Sequence, residues 1–276
     1  MLLHTDQFNT LGGTPLVVLH GLFGASDNWR SQAAIWSLER PVVTMDLRNH
    51  GLSGHDPVMD YATMAKDVTD TLNALNFDTV DLLGHSMGGK VAMQLAVKYP
   101  QRLRSILVAD IAPVAYEPRH QSILAGLKAI NLVTLKSRKE ALEVLLQYEP
   151  DQRACQFLLK GLYKNHVGEF ALRYNLGAIQ DNYPAISAAP TLSEEASIYK
   201  GPALVLKGEN SAYILPQHKA SFDQLLPNCT LKIMADCGHW LHAEKPELFS
   251  RLVSRFLNGL TLSLIHISEP TRLTMI

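Results

Sequence analysis

Cysteine is scarce in this chain: three in 276 residues, Cys155, Cys229 and Cys237. An odd number, at spacings that match neither a disulfide framework nor a CxxC metal pair, argues for a reducing compartment and against a stapled secreted fold or a zinc site. A surplus of one charge is also missing, since 25 Lys and Arg stand against 26 Asp and Glu for a formal net charge of -1. Nothing in that balance asks for nucleic acid or an anionic membrane as partner. No apolar run approaches the roughly 18 residues of a membrane span, and residues 1–10 have neither the positive nor the apolar region of a signal peptide. The chain therefore reads as a soluble, cytoplasmic protein, a monomer or small homo-oligomer.

What is present is an ordinary globular composition, 47% hydrophobic, in a chain long enough for one α/β core with an inserted subdomain. Short apolar runs at 16–20, 41–47, 80–84, 106–110, 203–207 and 231–234 read as strands, and segments of helical period at 64–75, 88–98, 217–226 and 246–257 read as helices. That alternation predicts a mostly parallel central sheet flanked by helices. It breaks after about Glu117, where three or four helical stretches follow with no convincing buried strand. The division expected is a core at 1–117 and 199–260 with a helical cap at 118–198, although the same apolar positions suit a plain helical appendage. Residues 262–272, LSLIHISEPTR, resemble a translated transposon-end sequencing adapter, so 261–276 is set aside as a non-native tail.

Gly84-His85-Ser86-Met87-Gly88 fits the pattern G-x-S-x-G and stands between the apolar run VDLL and a helix, where a nucleophile elbow must stand. A serine on so sharp a strand-to-helix turn is strained, and side chains in place of the glycines would collide with the neighbouring strand and helix. His20-Gly21-Leu22-Phe23-Gly24 follows the run LVVL and suits the second half of an oxyanion hole. The N–H groups expected there are those of Met87 and Leu22, with Phe23 replacing Leu22 if the loop is wound differently. His239, in Gly238-His239-Trp240, follows the last strand candidate and is the expected general base, because a serine hydroxyl needs an imidazole to take its proton.

For the acid that orients this histidine, Asp110 at the end of SILVAD is preferred, with Glu209 in LVLKGENS as the second candidate. Asp46 and Arg48 read as residues that tie down a loop beside the site. Phe23, Tyr116, Tyr213 and Trp240 are candidate substrate-binding residues, and aromatics in such places equally serve packing. His20 and His85 read as structural or pocket-lining. His4, His55, His120, His166, His218 and His242 read as ordinary surface or capping residues.

With these residues in place, the stretches HGLFG, DLRNHGLS, GHSMGGK, DIAPV and GHWLHAEKP resemble the α/β-hydrolase superfamily, and within it the small bacterial acyl esterases with a helical lid. Ser211 stands where other branches keep Asp, a departure that this branch shares, its acid lying at the position of Asp110. The resemblance implies hydrolysis of short-to-medium acyl esters, and of acyl-CoA thioesters, through an acyl-enzyme, with no metal and no cofactor. A hydrolase of carbon–carbon or other non-ester bonds, or a non-catalytic ligand-binding member of the fold, are the alternatives.

Overall fold

The computed structural model describes residues 1–9, 12–191 and 198–268. Seven strands form one sheet: β1 (Thr5–Phe8), β2 (Leu16–Leu19), β3 (Val42–Met45), β4 (Val80–His85), β5 (Leu103–Ala109), β8 (Ala203–Gly208) and β9 (Cys229–Met234), in the order β1-β3-β2-β4-β5-β8-β9. All neighbours are parallel except β1, which pairs antiparallel with β3. The continuous apolar runs are explained by burial on both faces: every residue of β2, β3 and β4 is buried. β1 escapes the pattern because TDQF is polar and half-buried at the sheet edge.

Helices cover both faces. α2 (Tyr61–Ala74) and α3 (Met87–Lys98) pack into one core with Val17, Leu82 and Val108, while α1 (Arg30–Trp36) and the last helix of the chain pack into the other with Val18, Leu83 and Leu204. α2 starts three residues before the predicted boundary because Asp60 caps it, its carboxylate accepting from Thr63 N–H at 2.7 Å. Such a cap is worth about 1 kcal/mol. Two further helices close the chain, α10 (Leu241–Glu244) and α11 (Pro246–Ser268). α11 thus runs beyond the predicted end at 257 into the segment set aside as a tail, whose last residues, 269–276, lie outside the described ones. No helix among the described residues is long and apolar enough to cross a membrane.

Between β5 and β8 the chain leaves the sheet. It forms α4 (Gln121–Ala129), α5 (Arg138–Leu145), α6 (Gln152–Leu158), α7 (Leu176–Asp181) and α8 (Tyr183–Ser187) before returning, with α9 (Lys219–Leu225) lying later between β8 and β9. The inserted segment is not purely helical, as its sequence suggested. β6 (Leu162–Lys164) and β7 (Phe170–Leu172) form an antiparallel hairpin. At three residues each, these strands are too short to show a period-two pattern.

Candidate active site

β4 ends at His85 and α3 begins at Met87, so Ser86 alone makes the turn. It does so at φ 51° and ψ −118°, a conformation that costs a non-glycine residue about 1–3 kcal/mol. Backbone bonds hold it there: Ser86 N–H donates to the Ala109 carbonyl at 3.0 Å, and the Ser86 carbonyl accepts from Lys90 N–H at 3.1 Å. A Cβ on Gly84 would lie 2.2 Å from the Gly88 carbonyl oxygen, and one on Gly88 would lie 2.5 Å from that of His20. The elbow can close only because both positions lack a side chain.

Asp110 follows β5 directly and is fully buried. Its Oδ1 accepts from Gly208 N–H at 3.0 Å, and its Oδ2 accepts from His239 Nδ1 at 2.8 Å and from the Ser211 hydroxyl. A carboxylate so placed fixes the tautomer of His239 with Nε2 free to take a proton. Tyr213 stacks on the His239 ring, centroids 4.0 Å apart, and stiffens it further. Glu209, the other acid considered, points elsewhere: its Oε2 accepts from Asp236 N–H at 2.9 Å. Ser86 and His239 line one cavity of about 260 Å³. No hydrogen bond joins the two side chains among the described residues, and contacts of this kind tighten when substrate binds.

The candidates expected from sequence as oxyanion donors are narrowed by what their neighbours do. Phe23 N–H is already committed to His50 Nε2 at 3.1 Å, and His50 Nδ1 donates to the Arg48 carbonyl at 2.9 Å. Burial pushes the His50 imidazole down to about 3, so it stays neutral and keeps accepting. That leaves Leu22, whose N–H makes no hydrogen bond among the described residues, opposite Met87 at the first position of α3, where no intrahelical partner exists. Asp46 and Arg48 tie down the adjoining loop. Asp46 accepts from Ser26 and Leu52 N–H, and Arg48 forms a two-point pair with buried Asp67 at 2.6 and 3.0 Å.

Of the aromatics singled out from sequence, Phe23, Tyr213 and Trp240 line the cavity shared by Ser86 and His239, and Tyr116 and Tyr213 line a second, of about 40 Å³, that also reaches Ser86. Two residues depart from what their sequence suggests. His120, read as an ordinary surface or capping residue, lines both cavities, and Tyr183 O–H lies 2.7 Å from its Nδ1. His242 is buried and stacked on Trp29 at 4.3 Å. His85, expected to be structural or pocket-lining, is on the cavity wall, and its Nε2–H donates to the His239 carbonyl at 2.9 Å. Burial drives its pKa well below the usual histidine value, which keeps the ring a neutral donor. Cys237 is buried and pushed up to about 11, so it remains a thiol bystander to His239.

This strand order, with a serine elbow after one strand and an acid after the next, has a counterpart in sequence. The family described as the alpha/beta hydrolase fold matches residues 14–246. The chain belongs to the α/β-hydrolase family. This α/β-hydrolase is 36% identical to Esterase YbfF of Escherichia coli K12 over 251 residues, 91% of this chain and 95% of that one. It is also 36% identical, over 262 residues, to the sn-1-specific diacylglycerol lipase ABHD11 of Danio rerio, covering 91% and 81% of the two chains. Among solved structures, a marine microorganism esterase aligns with TM-score 0.88 at 34% identity, over 92% of this chain and 99% of that one.

Proposed function

We propose that this α/β-hydrolase is a serine carboxylic-ester hydrolase acting on small-molecule acyl esters through an acyl-enzyme. The observation that carries the reading is the buried Asp110 carboxylate 2.8 Å from His239 Nδ1, with the ring facing the cavity into which Ser86 projects. In the first half-reaction Ser86 Oγ attacks the ester carbonyl carbon while His239 Nε2 takes the hydroxyl proton. The N–H groups of Met87 and Leu22 receive the negative oxygen, each such donor being worth about 3 kcal/mol. The carbon–oxygen bond to the alcohol then breaks, and His239 returns the proton to the departing oxygen. Water then attacks the acyl-enzyme carbonyl and gives a proton to His239, which passes it to Ser86 Oγ as the acid leaves, so both groups are restored.

The esterase and lipase named above support the same class of reaction, since the chain matches nearly all of the former's length. The test is hydrolysis of p-nitrophenyl butyrate by the wild type and by Ser86→Ala. The variant is expected to lose turnover about 10⁴-fold or more while its thermal unfolding midpoint stays within a few degrees. Activity that survives the substitution contradicts the assignment.

A further inference from the structure

The two cavities that meet at Ser86 differ in size, in wall and in their relation to His239. The smaller, about 40 Å³, is lined by Ile111, Tyr116, Ile186 and the buried Lys90, and does not touch His239. Its far wall is pinned by the sheet half of the molecule. Lys90 Nζ donates to the Ser187 and Ala188 carbonyls at 3.1 and 2.5 Å, Tyr116 N–H donates to Ser187 at 2.9 Å, and Tyr61 O–H donates to the Ile186 carbonyl. A wall held by four hydrogen bonds does not yield to a longer chain. The larger cavity, about 260 Å³, contains His239 and is walled by Phe23, Ile123, Phe157, Leu158 and Trp240, with Phe157 of α6 and Trp240 meeting at 5.6 Å. Glu149 and Asp151 are the charged residues on its lining.

Chemistry assigns the two arms. The departing oxygen must receive its proton from His239, so the alcohol lies on the His239 side and the acyl group in the other arm. From this we infer that the preferred substrates are esters of a short acyl group, of two to four carbons, with a bulky, uncharged, apolar alcohol. The inference rests on the serine-hydrolase reading and refines it. Carboxylates on the alcohol arm disfavour a phosphorylated leaving group such as coenzyme A, and the aromatic walls favour an apolar one.

Benzyl acetate and methyl phenylacetate test this directly, because they are isomers that carry the same ring on opposite sides of the ester. We expect kcat/KM for benzyl acetate to exceed that for methyl phenylacetate by about tenfold or more. Ile186→Ala, which opens the acyl arm, should narrow the gap by raising methyl phenylacetate. Ala154→Phe, on the wall of the alcohol arm, should lower benzyl acetate by a larger factor than methyl acetate. S-acetyl-N-acetylcysteamine should be cleaved faster than acetyl-CoA at low ionic strength. Equal or reversed preference between the isomers in the wild type overturns the assignment of the arms, and equal rates on the two thioesters overturn the assignment of an uncharged leaving group. Failure to hydrolyse p-nitrophenyl acetate as well as both isomers would instead overturn the parent reading, and the inference with it.

Discussion

Ser86 and Asp110 each stand one residue beyond the end of a central strand, held by backbone bonds to neighbouring strands, while Phe157 and Ile186 stand on inserted helices of seven and five residues. Both sets face the same space. On the sheet side, position is over-determined: Ser86 is wedged between two required glycines, and Asp110 is fixed by Gly208, Ser211 and His239 at once. On the insertion side the backbone at 186–188 is hydrogen-bonded to Tyr61, Lys90 and Tyr116, but what faces the cavities is apolar side chain, such as Ile186 and Phe157. The difference teaches that substitutions on the sheet side should change the rate for every substrate alike, whereas those on the insertion should change which substrate is preferred.

Asp110→Asn is the strongest way to sharpen that contrast. Losing the carboxylate that holds the tautomer of His239 should lower kcat by about 10³ to 10⁴-fold. The ratio of benzyl acetate to methyl phenylacetate should stay as in the wild type, and a shift in that ratio comparable to the loss in rate would break the division. His85→Leu comes next. Removing the donor that holds the His239 carbonyl forfeits a net 1–2 kcal/mol, or about tenfold in kcat with little change in KM. His85→Gln, which keeps an N–H at similar reach, should recover most of the loss. Equal losses in the two variants would show that the ring packs without positioning the base.

A change in stability and not in rate is expected beneath the site. Burial holds His242 down at about 3, against about 6.5 for a histidine in an unfolded chain. Between those values the unfolded chain binds a proton that the folded chain refuses. The contribution of neutral His242 to stability is therefore complete above about pH 6.5 and is lost as pH falls toward 3, by up to about 1.4 kcal/mol per pH unit. His242→Phe, which retains an aromatic stack on Trp29, should flatten the fall in denaturant midpoint between pH 6.5 and 4. An unchanged slope would mean that other buried histidines, His50 among them, account for it.

The same contrast explains what the sequence disclosed. The elbow and the HGLFG loop are legible because each follows a buried strand and depends on glycine where a side chain would collide, and the GHW loop is legible because it directly follows the last strand. The place of Asp110 at the end of its strand favours it over Glu209, and the structure puts its carboxylate, not that of Glu209, on His239. Ser211 is visible in sequence as a departure, but its hydroxyl bond to Asp110 joins residues 101 positions apart, and the His85 bond to His239 spans 154. No local pattern encodes such pairings; they arise from how β4, β5 and β8 align. His120 is hidden in the sequence for a related reason. It opens α4 on the insertion, where nothing in the neighbouring residues reveals that the segment folds back over Ser86.

The measurement that bears most directly on this account is covalent labelling by a fluorophosphonate, with the modified peptide identified by mass spectrometry. A single adduct on the peptide that carries Ser86, lost in a folded His239→Ala variant, is the result expected if the imidazole activates that hydroxyl. An unlabelled wild type, or an adduct that forms just as fast without His239, would contradict it.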